Sequence, residues 1–226
     1  MDIIILAGGK GTRLKKIIGD IPKVMVEVNK KPFLFHTLEY LSKYPINNVI
    51  LSVYYNHEYI RKVVGDSYKN MKIIYSVDDN ELGTGGAIKH ALEYTKENDI
   101  IAINGDIIAD VDLNKLYSTH KEGKNYTTLT TKLLKNYDRF GTVIIEDNKV
   151  IEFKEKGYQK EGNINVGFYV INKEYFENNS KNIFSIEKDF FEKEALKKKI
   201  GIYQYNGKFL DIGTPEDYKK ASEYLN

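Results

Sequence analysis

Short apolar runs alternate with amphipathic stretches along the first half of the chain. The runs are rich in β-branched residues and nearly continuous, which is typical of parallel strands buried on both faces. They lie at residues 3–6, 49–53, 73–77 and 100–103. Apolar side chains recur at helical spacing in residues 33–44, 58–64 and 84–95. This alternation predicts an α/β fold with a doubly wound open sheet and right-handed crossovers.

The pattern changes after residue 112. Strands are predicted at residues 126–134, 142–146, 150–154, 164–171 and 202–205, and helices at 184–196 and 215–225. The tripeptide DNK at 147–149 separates two of these strands and indicates a hairpin. We expect one domain, residues 1–226, whose mixed, mainly parallel sheet passes from a first half, 1–112, into a smaller lobe, 113–226. Such a sheet binds its ligand at the carboxyl ends of the parallel strands.

Composition excludes several classes of function. The 226 residues carry 34 Lys and Arg against 32 Asp and Glu, so the basic excess typical of nucleic-acid-binding surfaces is missing. The absence of cysteine excludes disulfides and thiolate metal ligands. No apolar run approaches the roughly 18 residues of a membrane span, and the N-terminus lacks a signal-peptide pattern. We therefore expect a cytoplasmic protein with no nucleic-acid partner and no membrane partner.

The first predicted strand runs into a loop rich in glycine and in cations. Residues 6–14 read LAGGKGTRL, and IPK follows at 21–23. Glycine permits positive φ and lets backbone N–H groups converge on an anion, so the loop predicts a phosphate site. The loop does not match the P-loop pattern GxxxxGK[ST], and the dinucleotide fingerprint GxGxxG lacks its third glycine. A P-loop NTPase and a Rossmann dehydrogenase are therefore not supported.

The order of these residues resembles the signature of the sugar-1-phosphate nucleotidyltransferases. A second glycine motif, ELGTGGA, occupies residues 81–87, and NGD at 104–106 ends a predicted strand. The later matching segments are DRFGTV at 138–143, FKEK at 153–156, INVGFYV at 164–170 and LDIGTPEDY at 210–218. The resemblance runs along the whole chain and implies a Rossmann-like nucleotidyltransferase fold with a smaller sugar-binding lobe.

The resemblance implies transfer of a nucleotidyl group from a nucleoside triphosphate to a sugar 1-phosphate. Arg13, Lys23 and Asp106 are the implied catalytic residues, with the Arg13 fork on the β- and γ-phosphates and Lys23 near the reacting centre. Asp106 and Asp211 are the implied Mg²⁺ ligands, since Mg²⁺ prefers oxygen donors. The implied nucleotide-binding residues are Leu6, Ala7, Gly8, Gly9, Gly11, Thr12, Glu81, Gly83, Thr84 and Gly85.

The later segments imply a site for the sugar phosphate. By this resemblance, Lys156 pairs with the phosphate, and Glu155 and Asn165 bind sugar hydroxyl groups. The implied sugar-phosphate-binding residues are Asn104, Gly141, Glu155, Lys156, Asn165 and Gly167. Two positions depart from the family, because Gly157 and Val24 stand where proline is common.

Among short members of the family, the motifs are most similar to guanylyltransferases that act on D-glycero-α-D-manno-heptose 1-phosphate and make GDP-heptose for surface polysaccharides. GTP and this heptose phosphate are therefore the favoured substrates. Other substrate pairs remain as alternatives, because the scaffold does not fix the substrate. They are mannose 1-phosphate with GTP, and glucose or N-acetylmuramic acid 1-phosphate with other nucleoside triphosphates. A non-catalytic paralogue that binds nucleotide sugars stays open as well, and so does a homodimer.

Other polar residues have simpler interpretations. Asp110 and Asp112 form the DxD pattern of metal-dependent glycosyltransferases, but we expect them in a loop that caps the following helix. Asp78 and Asp79 are expected in a solvated loop. The four histidines show no metal-ligand spacing, and His90 is expected to pack on a helix or lie at the surface.

Overall fold

The computed structural model describes residues 1–225, apart from the side chains of residues 16 and 179. Residue 226, the last of the predicted domain, lies outside the described part. Within that part, one ten-stranded sheet crosses both halves of the chain, accompanied by two small two-stranded sheets. No helix of residues 1–225 is both long and apolar enough to cross a membrane.

The elements follow the chain in this order. Strands β1 to β14 are Asp2–Leu6, Glu27–Val28, Lys31–Pro32, Asn48–Val53, Ser67–Tyr68, Met71–Val77, Asp99–Asn104, Ile107–Ala109, Thr127–Tyr137, Thr142–Glu146, Lys149–Lys154, Gln159–Asn172, Ile200–Gln204 and Phe209–Asp211. Helices α1 to α8 are Lys15–Ile18, Phe33–Leu41, His57–Val64, Gly83–Leu92, Leu113–Glu122, Lys173–Asn179, Glu192–Leu196 and Pro215–Tyr224. A 3-10 helix, Lys23–Met25, follows α1, and a π-helix, Ile186–Phe191, leads directly into α7.

The first half of the chain builds the parallel centre of the main sheet. Strands β7, β1, β4 and β6 lie side by side in that order, and each is parallel to its neighbour. The chain moves outward from β1 to β4 and β6, then returns through α4 to β7 on the other side of β1. This reversal leaves a crevice at the carboxyl ends of β1 and β7, where doubly wound sheets bind ligands. The predicted doubly wound arrangement is confirmed.

Alternate residues of β1 enter two different apolar clusters. Ile3 and Ile5 pack in one cluster with Leu38 of α2, whereas Ile4 packs in the other with Ile88 of α4. All five side chains are fully buried. Because helices cover both faces of the sheet, its central strands have no polar side, which explains the near-continuous apolar runs in the sequence.

The second half of the chain adds mainly antiparallel pairs to the same sheet. Strand β12 is antiparallel to both β7 and β9, and β13 is parallel to β9, so the sheet is mixed as predicted. The pairing of β9 with β12 shifts register between Asn165 and Tyr169. Gly167 lies in this irregularity with φ +82°, and a Cβ there would lie 2.5 Å from Cδ1 of Ile107. Glycine is therefore required at this point.

Two three-residue strands join the distant halves of the chain beside the crevice. Strand β8 pairs with β14 and places Ile107 opposite Asp211. The backbone N–H of Ile212 donates to the carbonyl of Asp106, with N···O 3.0 Å. This ladder brings residues 106 and 211 together, as the resemblance implies.

Two helices differ from their predicted bounds. Helix α2 ends at Leu41 rather than at residue 44, where the following Pro45 disfavours helical backbone. The helix predicted over 184–196 begins at Ile186 as a π-helix and continues as α7. Strands β8 and β14 were outside the predictions because three residues are too few to show a period.

Candidate active site

Two cavities adjoin at the carboxyl ends of β1 and β7. The first, of about 260 Å³, is lined by residues that follow β1, β4 and β6 and by the start of α4. The second, of about 320 Å³, is lined by residues of the second half, including the π-helix and β14. Asn104 and Asp106 line both cavities and so mark their junction.

The first glycine loop forms one wall of the first cavity. Leu6, Gly8 and Gly9 line this cavity, whereas Ala7 is buried and donates its N–H to the backbone of β4. A Cβ on Gly8 would lie 3.2 Å from Cβ of Tyr54, so glycine lets the loop pass close to the residue that follows β4. The first part of the predicted phosphate-binding loop therefore lines the first cavity.

The remainder of this loop lies outside the first cavity. Gly11 and Thr12 line neither of the two cavities, and Thr12 is exposed. Gly11 has φ +61°, and a Cβ there would lie 3.0 Å from Cβ of Lys23, so this glycine lets Lys23 approach. Arg13 is exposed and lines the second cavity together with Asp106, although its predicted partners are the phosphates on the nucleotide side.

The second glycine motif serves both the first cavity and the packing of a neighbouring segment. Glu81, Gly83 and Thr84 line the cavity. Gly85 lines neither cavity, because its Cα faces Phe184: a Cβ there would lie 2.2 Å from the Phe184 ring. Its N–H donates to the Phe184 carbonyl at 3.0 Å. The structure thus places Gly85 in packing, where the sequence predicts nucleotide binding.

An ion pair links the two glycine motifs. Nζ of Lys10 lies 2.9 Å from Oε2 of Glu81, and the same ammonium lies 5.5 Å from the centre of the Tyr54 ring. Both charged side chains are largely exposed, so solvent screens the pair and it adds little to stability. The ion pair joins the first glycine loop to Glu81, which lines the first cavity.

Asp78 is a buried carboxylate of the first cavity. It directly follows β6, lines the cavity and is only 7% exposed, so the expected solvated loop is wrong for Asp78, although the neighbouring Asp79 is exposed. Nδ1 of His90, on α4, lies 2.7 Å from Oδ1 of Asp78. Burial raises the pKa of the Asp78 carboxyl, and the hydrogen bond from His90 opposes this. Its place at the carboxyl end of a predicted parallel strand was the available sequence signal.

Opposite charges meet at the junction of the cavities. Nζ of Lys23 lies 2.5 Å from Oδ2 of Asp106, and the Lys23 side chain is largely buried. Asp211 lines the second cavity beside them and accepts a hydrogen bond from the N–H of Gly213. Burial and the nearby Asp106 carboxylate raise the pKa of Asp211, and the Lys23 ammonium lowers it. Lys23, Asp106 and Asp211 therefore form one electrostatic cluster, although Lys23 lines neither cavity wall.

The second cavity contains most of the residues predicted for the sugar phosphate. Asn104, Gly141, Glu155, Lys156 and Asn165 line it. Gly167 does not, since it lies beneath Asn104, whose Nδ2 would be 2.8 Å from a Cβ at that position. Three aromatic rings complete part of the wall: Phe140, Phe153 and Phe209.

Three further charged residues of the second cavity belong to none of the motifs. They lie on the π-helix and at the start of α7: Glu187, Lys188 and Glu192. Lys188 lies 3.4 Å from the Glu155 carboxylate, so the π-helix reaches the FKEK segment across the cavity. The sequence predicted a helix over 184–196, but its pattern did not indicate which of the polar residues in it face a cavity.

Arg139 holds the DRFGTV segment against the C-terminal helix. Its guanidinium contacts the carboxylate of Asp217, which also accepts a hydrogen bond from the hydroxyl of Thr214 at 2.6 Å. Thr214 in turn caps α8 by accepting the N–H of Asp217. This contact fixes the loop that carries Gly141 next to the segment that carries Asp211.

The DxD pattern has the structural role that the sequence favours. Oδ1 of Asp112 accepts the N–H groups of Asn114 and Lys115 and so caps α5. The Asp110 carboxylate contacts the hydroxyl of Tyr205. Neither aspartate lines the two cavities of the described chain, so the metal-dependent glycosyltransferase interpretation gains no support.

Comparison with known proteins gives a family and two close relatives. A model of the nucleotidyl transferase family matches residues 2–226. A D-glycero-alpha-D-manno-heptose 1-phosphate guanylyltransferase of Aneurinibacillus thermoaerophilus is 46% identical over 226 residues, which is 100% of this chain and 98% of the relative. A protein of the same name from Campylobacter jejuni subsp. jejuni is 43% identical over 220 residues, covering 96% and 97% of the two chains.

A solved structure resembles the whole chain. It is HddC from Yersinia pseudotuberculosis, complexed with GMP-PN, with 37% sequence identity and a TM-score of 0.88. The match covers 100% of this chain and 99% of that one. The two chains are therefore similar in both sequence and fold over nearly their whole lengths.

Proposed function

The chain belongs to the nucleotidyl transferase family, and from this premise we propose that it transfers the guanylyl group of GTP to D-glycero-α-D-manno-heptose 1-phosphate. The products are GDP-heptose and pyrophosphate. The acceptor and the base follow the names of the two full-length relatives and the GMP-PN complex of the similar structure.

The observation that carries this proposal is the junction of the two cavities. The first cavity is lined by the glycine loops, and the second is lined by most of the residues predicted to bind the sugar phosphate. The two cavities meet at Asn104 and Asp106, and Lys23 forms an ion pair with Asp106. A nucleoside triphosphate in the first cavity and a sugar 1-phosphate in the second bring the α-phosphate and the acceptor phosphate to this point. Holding two reactants in contact contributes much of the rate in such reactions.

The reaction is a displacement at the α-phosphorus. An oxygen of the sugar phosphate forms the new P–O bond, the bond from the α-phosphorus to the bridging oxygen breaks, and pyrophosphate leaves. Negative charge shifts onto the leaving oxygens, so preorganised cations lower the barrier. We assign this role to Lys23 at the junction. To Arg13, which lines the second cavity, we assign the α-phosphate oxygens and the attacking sugar phosphate.

The buried carboxylate of Asp78 favours guanine in the first cavity. Guanine presents two neighbouring donors, its N1–H and its exocyclic amine, whereas an ionised carboxylate is an acceptor-only group. His90 holds one oxygen of Asp78, which fixes the orientation of the carboxylate toward the cavity. Adenine lacks this donor pair, so the same site discriminates against ATP.

Asp106 and Asp211 are suited to hold Mg²⁺. Both offer the hard carboxylate oxygens that Mg²⁺ prefers. Burial and the repulsion from Asp106 raise the pKa of Asp211, and a bound cation would relieve that repulsion. When bound, the ion neutralises phosphate oxygens that carry the developing charge. Lys23 pairs with Asp106, so one ammonium and two carboxylates leave the cluster with a net negative charge that a bound cation would offset.

The product class places the enzyme in a sequence of reactions. A nucleoside diphosphate sugar is a donor for glycosyl transfer, so we propose that GDP-heptose from this enzyme supplies the synthesis of a surface polysaccharide. The donor GTP belongs to the cytoplasmic nucleotide pool, and we propose that the enzyme acts there. A homodimer remains a prediction.

A pyrophosphate-release assay tests the proposed function. Each of GTP, ATP, CTP, UTP and dTTP is paired with heptose, mannose and glucose 1-phosphates in the presence of Mg²⁺. We expect the highest kcat/KM with GTP and the heptose phosphate. A higher value with another pair would reassign the substrates, and no release with any pair would overturn nucleotidyl transfer.

A further inference from the structure

The π-helix carries a carboxylate into the sugar-side cavity that belongs to none of the sequence motifs. Glu187 lies in the first turn of the π-helix, lines the second cavity and is exposed there. The family-like segments assign the sugar hydroxyl groups instead to Asn165 and Glu155. The hydrogen bonds around Asn165 change this assignment.

The polar atoms of Asn165 are already engaged with the protein. Its Oδ1 accepts the N–H of Gly167 at 2.9 Å, and its Nδ2 lies 3.1 Å from the hydroxyl of Tyr169 and 2.7 Å from Oε1 of Glu187. An amide nitrogen carries two hydrogens, so both are used. Asn165 therefore has no N–H left to donate to a sugar, and its strongest contact is with the Glu187 carboxylate.

Asn165 is itself held in place by a buried network. The Tyr169 side chain is fully buried, and its hydroxyl donates to Oδ1 of Asn104 at 3.4 Å while it accepts from Asn165. Asn104 lines both cavities. The chain of contacts from Asn104 through the buried Tyr169 and Asn165 thus ends on the Glu187 carboxylate.

The backbone on either side of Glu187 is also fixed. The N–H of Ile186 donates to the hydroxyl of Thr84 at 3.0 Å, which ties the π-helix to the wall of the first cavity. The N–H of Ser185 donates to Asp189, and the Ser185 hydroxyl accepts from the N–H of Lys188. With its backbone clamped and one oxygen held by Asn165, Glu187 presents its carboxylate at a defined position.

We propose that Glu187 determines acceptor specificity by accepting hydrogen bonds from hydroxyl groups of the sugar, and that Asn165 is its positioning residue. A carboxylate accepts from neutral hydroxyl donors and repels phosphate, so Glu187 faces the sugar ring rather than its phosphate. The cations Arg13 and Lys156 in the same cavity suit the phosphate end. The proposal rests on the proposed function in that it takes a sugar 1-phosphate as the second substrate.

Steady-state kinetics of Glu187→Ala and Glu187→Gln test this assignment. Hydrogen bonds to a charged group correspond to about a 10- to 100-fold change, so we expect kcat/KM for the acceptor to fall by that factor in Glu187→Ala. The KM for GTP should stay within about twofold. Glu93→Ala removes an exposed glutamate outside both cavities and serves as the matched control.

A double-mutant cycle separates positioning from direct contact. If Asn165 acts through Glu187, Asn165→Ala combined with Glu187→Ala loses no more acceptor kcat/KM than Glu187→Ala alone. Losses that multiply in the double variant would show that Asn165 acts independently of Glu187 and would overturn its positioning role. The specificity role of Glu187 would be overturned if kcat/KM for the acceptor stayed within twofold of the wild-type value in both Glu187 variants. It would also be overturned if the KM for GTP rose by the same factor as kcat/KM for the acceptor fell.

The acceptor in these assays is whichever sugar 1-phosphate the wild-type enzyme uses best. Failure with the heptose phosphate alone therefore refutes the proposed substrate and leaves the Glu187 measurements intact. Calorimetric titration of the wild type with each sugar 1-phosphate is run in parallel. Absence of binding and turnover with all of them would overturn both proposals together.

Discussion

The ammonium of Lys23 lies 2.5 Å from a carboxylate oxygen of Asp106, although 83 positions separate them in the chain. Lys23 begins a 3-10 helix after the glycine loop, and Asp106 follows the central strand β7. Gly11 permits the approach, because any side chain at this position would crowd Cβ of Lys23. Two separate segments thus deliver opposite charges to the point where the two cavities meet.

Removing either carboxylate at this junction should abolish metal-dependent turnover. Asp106→Asn and Asp211→Asn each keep the side-chain shape but remove the charge that a divalent cation requires. We expect kcat to fall by at least about 100-fold with the fold retained, measured by pyrophosphate release over a Mg²⁺ titration and by circular dichroism.

Asp112→Asn is the matched control for these two variants. Asparagine is also a good N-cap, so α5 should be preserved and activity should stay near that of the wild type. Near-normal turnover in Asp106→Asn or Asp211→Asn would refute their metal role. A large loss in Asp112→Asn would instead revive the DxD interpretation.

Arg13→Ala should act mainly on the rate. The guanidinium lines the second cavity beside Asp106, where charge develops on phosphate oxygens during transfer. Loss of one such donor typically lowers kcat by roughly 10²–10³-fold. Arg13→Lys should recover only part of this loss, because an ammonium lacks the bidentate fork. An unchanged kcat in Arg13→Ala would place this residue outside the transition state.

Asp78→Asn should weaken the preference for guanine. The amide offers one acceptor and one donor group where the carboxylate offers only acceptors, so the exocyclic amine of guanine loses its partner. We expect the ratio of kcat/KM for GTP over ITP, which lacks that amine, to fall by about 10-fold or more. Asp79→Asn changes the exposed neighbour and should leave the ratio unchanged. A ratio preserved in Asp78→Asn would exclude Asp78 from base recognition.

Gly85→Ala should destabilise the protein although it lies in a helix. Alanine in a helix usually stabilises relative to glycine by about 1 kcal/mol. Here the added Cβ would lie 2.2 Å from the Phe184 ring, so the overpacking should dominate and lower the free energy of unfolding by about 1–3 kcal/mol. Urea unfolding measures this, with Gly157→Ala as the control because its Cβ meets nothing within 4 Å. A free energy of unfolding of Gly85→Ala equal to or above that of the wild type would show that the segment around Phe184 moves to accommodate the added methyl group without loss of stability.

The central part of the fold could be predicted from the sequence because its signals are local. Strand β1 and its parallel neighbours are buried on both faces, so their apolar runs are continuous and easily recognised. The glycines of the first loop mark a turn that side chains would obstruct, as Gly8 shows by its closeness to Tyr54. The residues that give these signals lie within short segments, even where the contact they make, as between Gly8 and Tyr54, joins distant parts of the chain.

The arrangement of the candidate site depends on contacts between residues distant in sequence, so local sequence patterns could not predict it. The meeting of Asp106 with Asp211 depends on a ladder of two three-residue strands, and only the resemblance implied it. The burial of Asp78 depends on α4, which brings His90 to it. Glu187 lies on a π-helix within the predicted helix 184–196, but that it lines the second cavity depends on packing against distant segments such as Asn165.

The most direct test of guanylyl transfer is identification of both products from one reaction mixture. The wild-type protein is incubated with Mg²⁺, GTP and D-glycero-α-D-manno-heptose 1-phosphate, and the mixture is resolved by mass spectrometry alongside a pyrophosphate assay. GDP-heptose and pyrophosphate should appear in equal amounts, and neither should form when the heptose phosphate is omitted. Release of GDP and inorganic phosphate, or intact GTP beside unchanged heptose phosphate, would contradict guanylyl transfer by this protein.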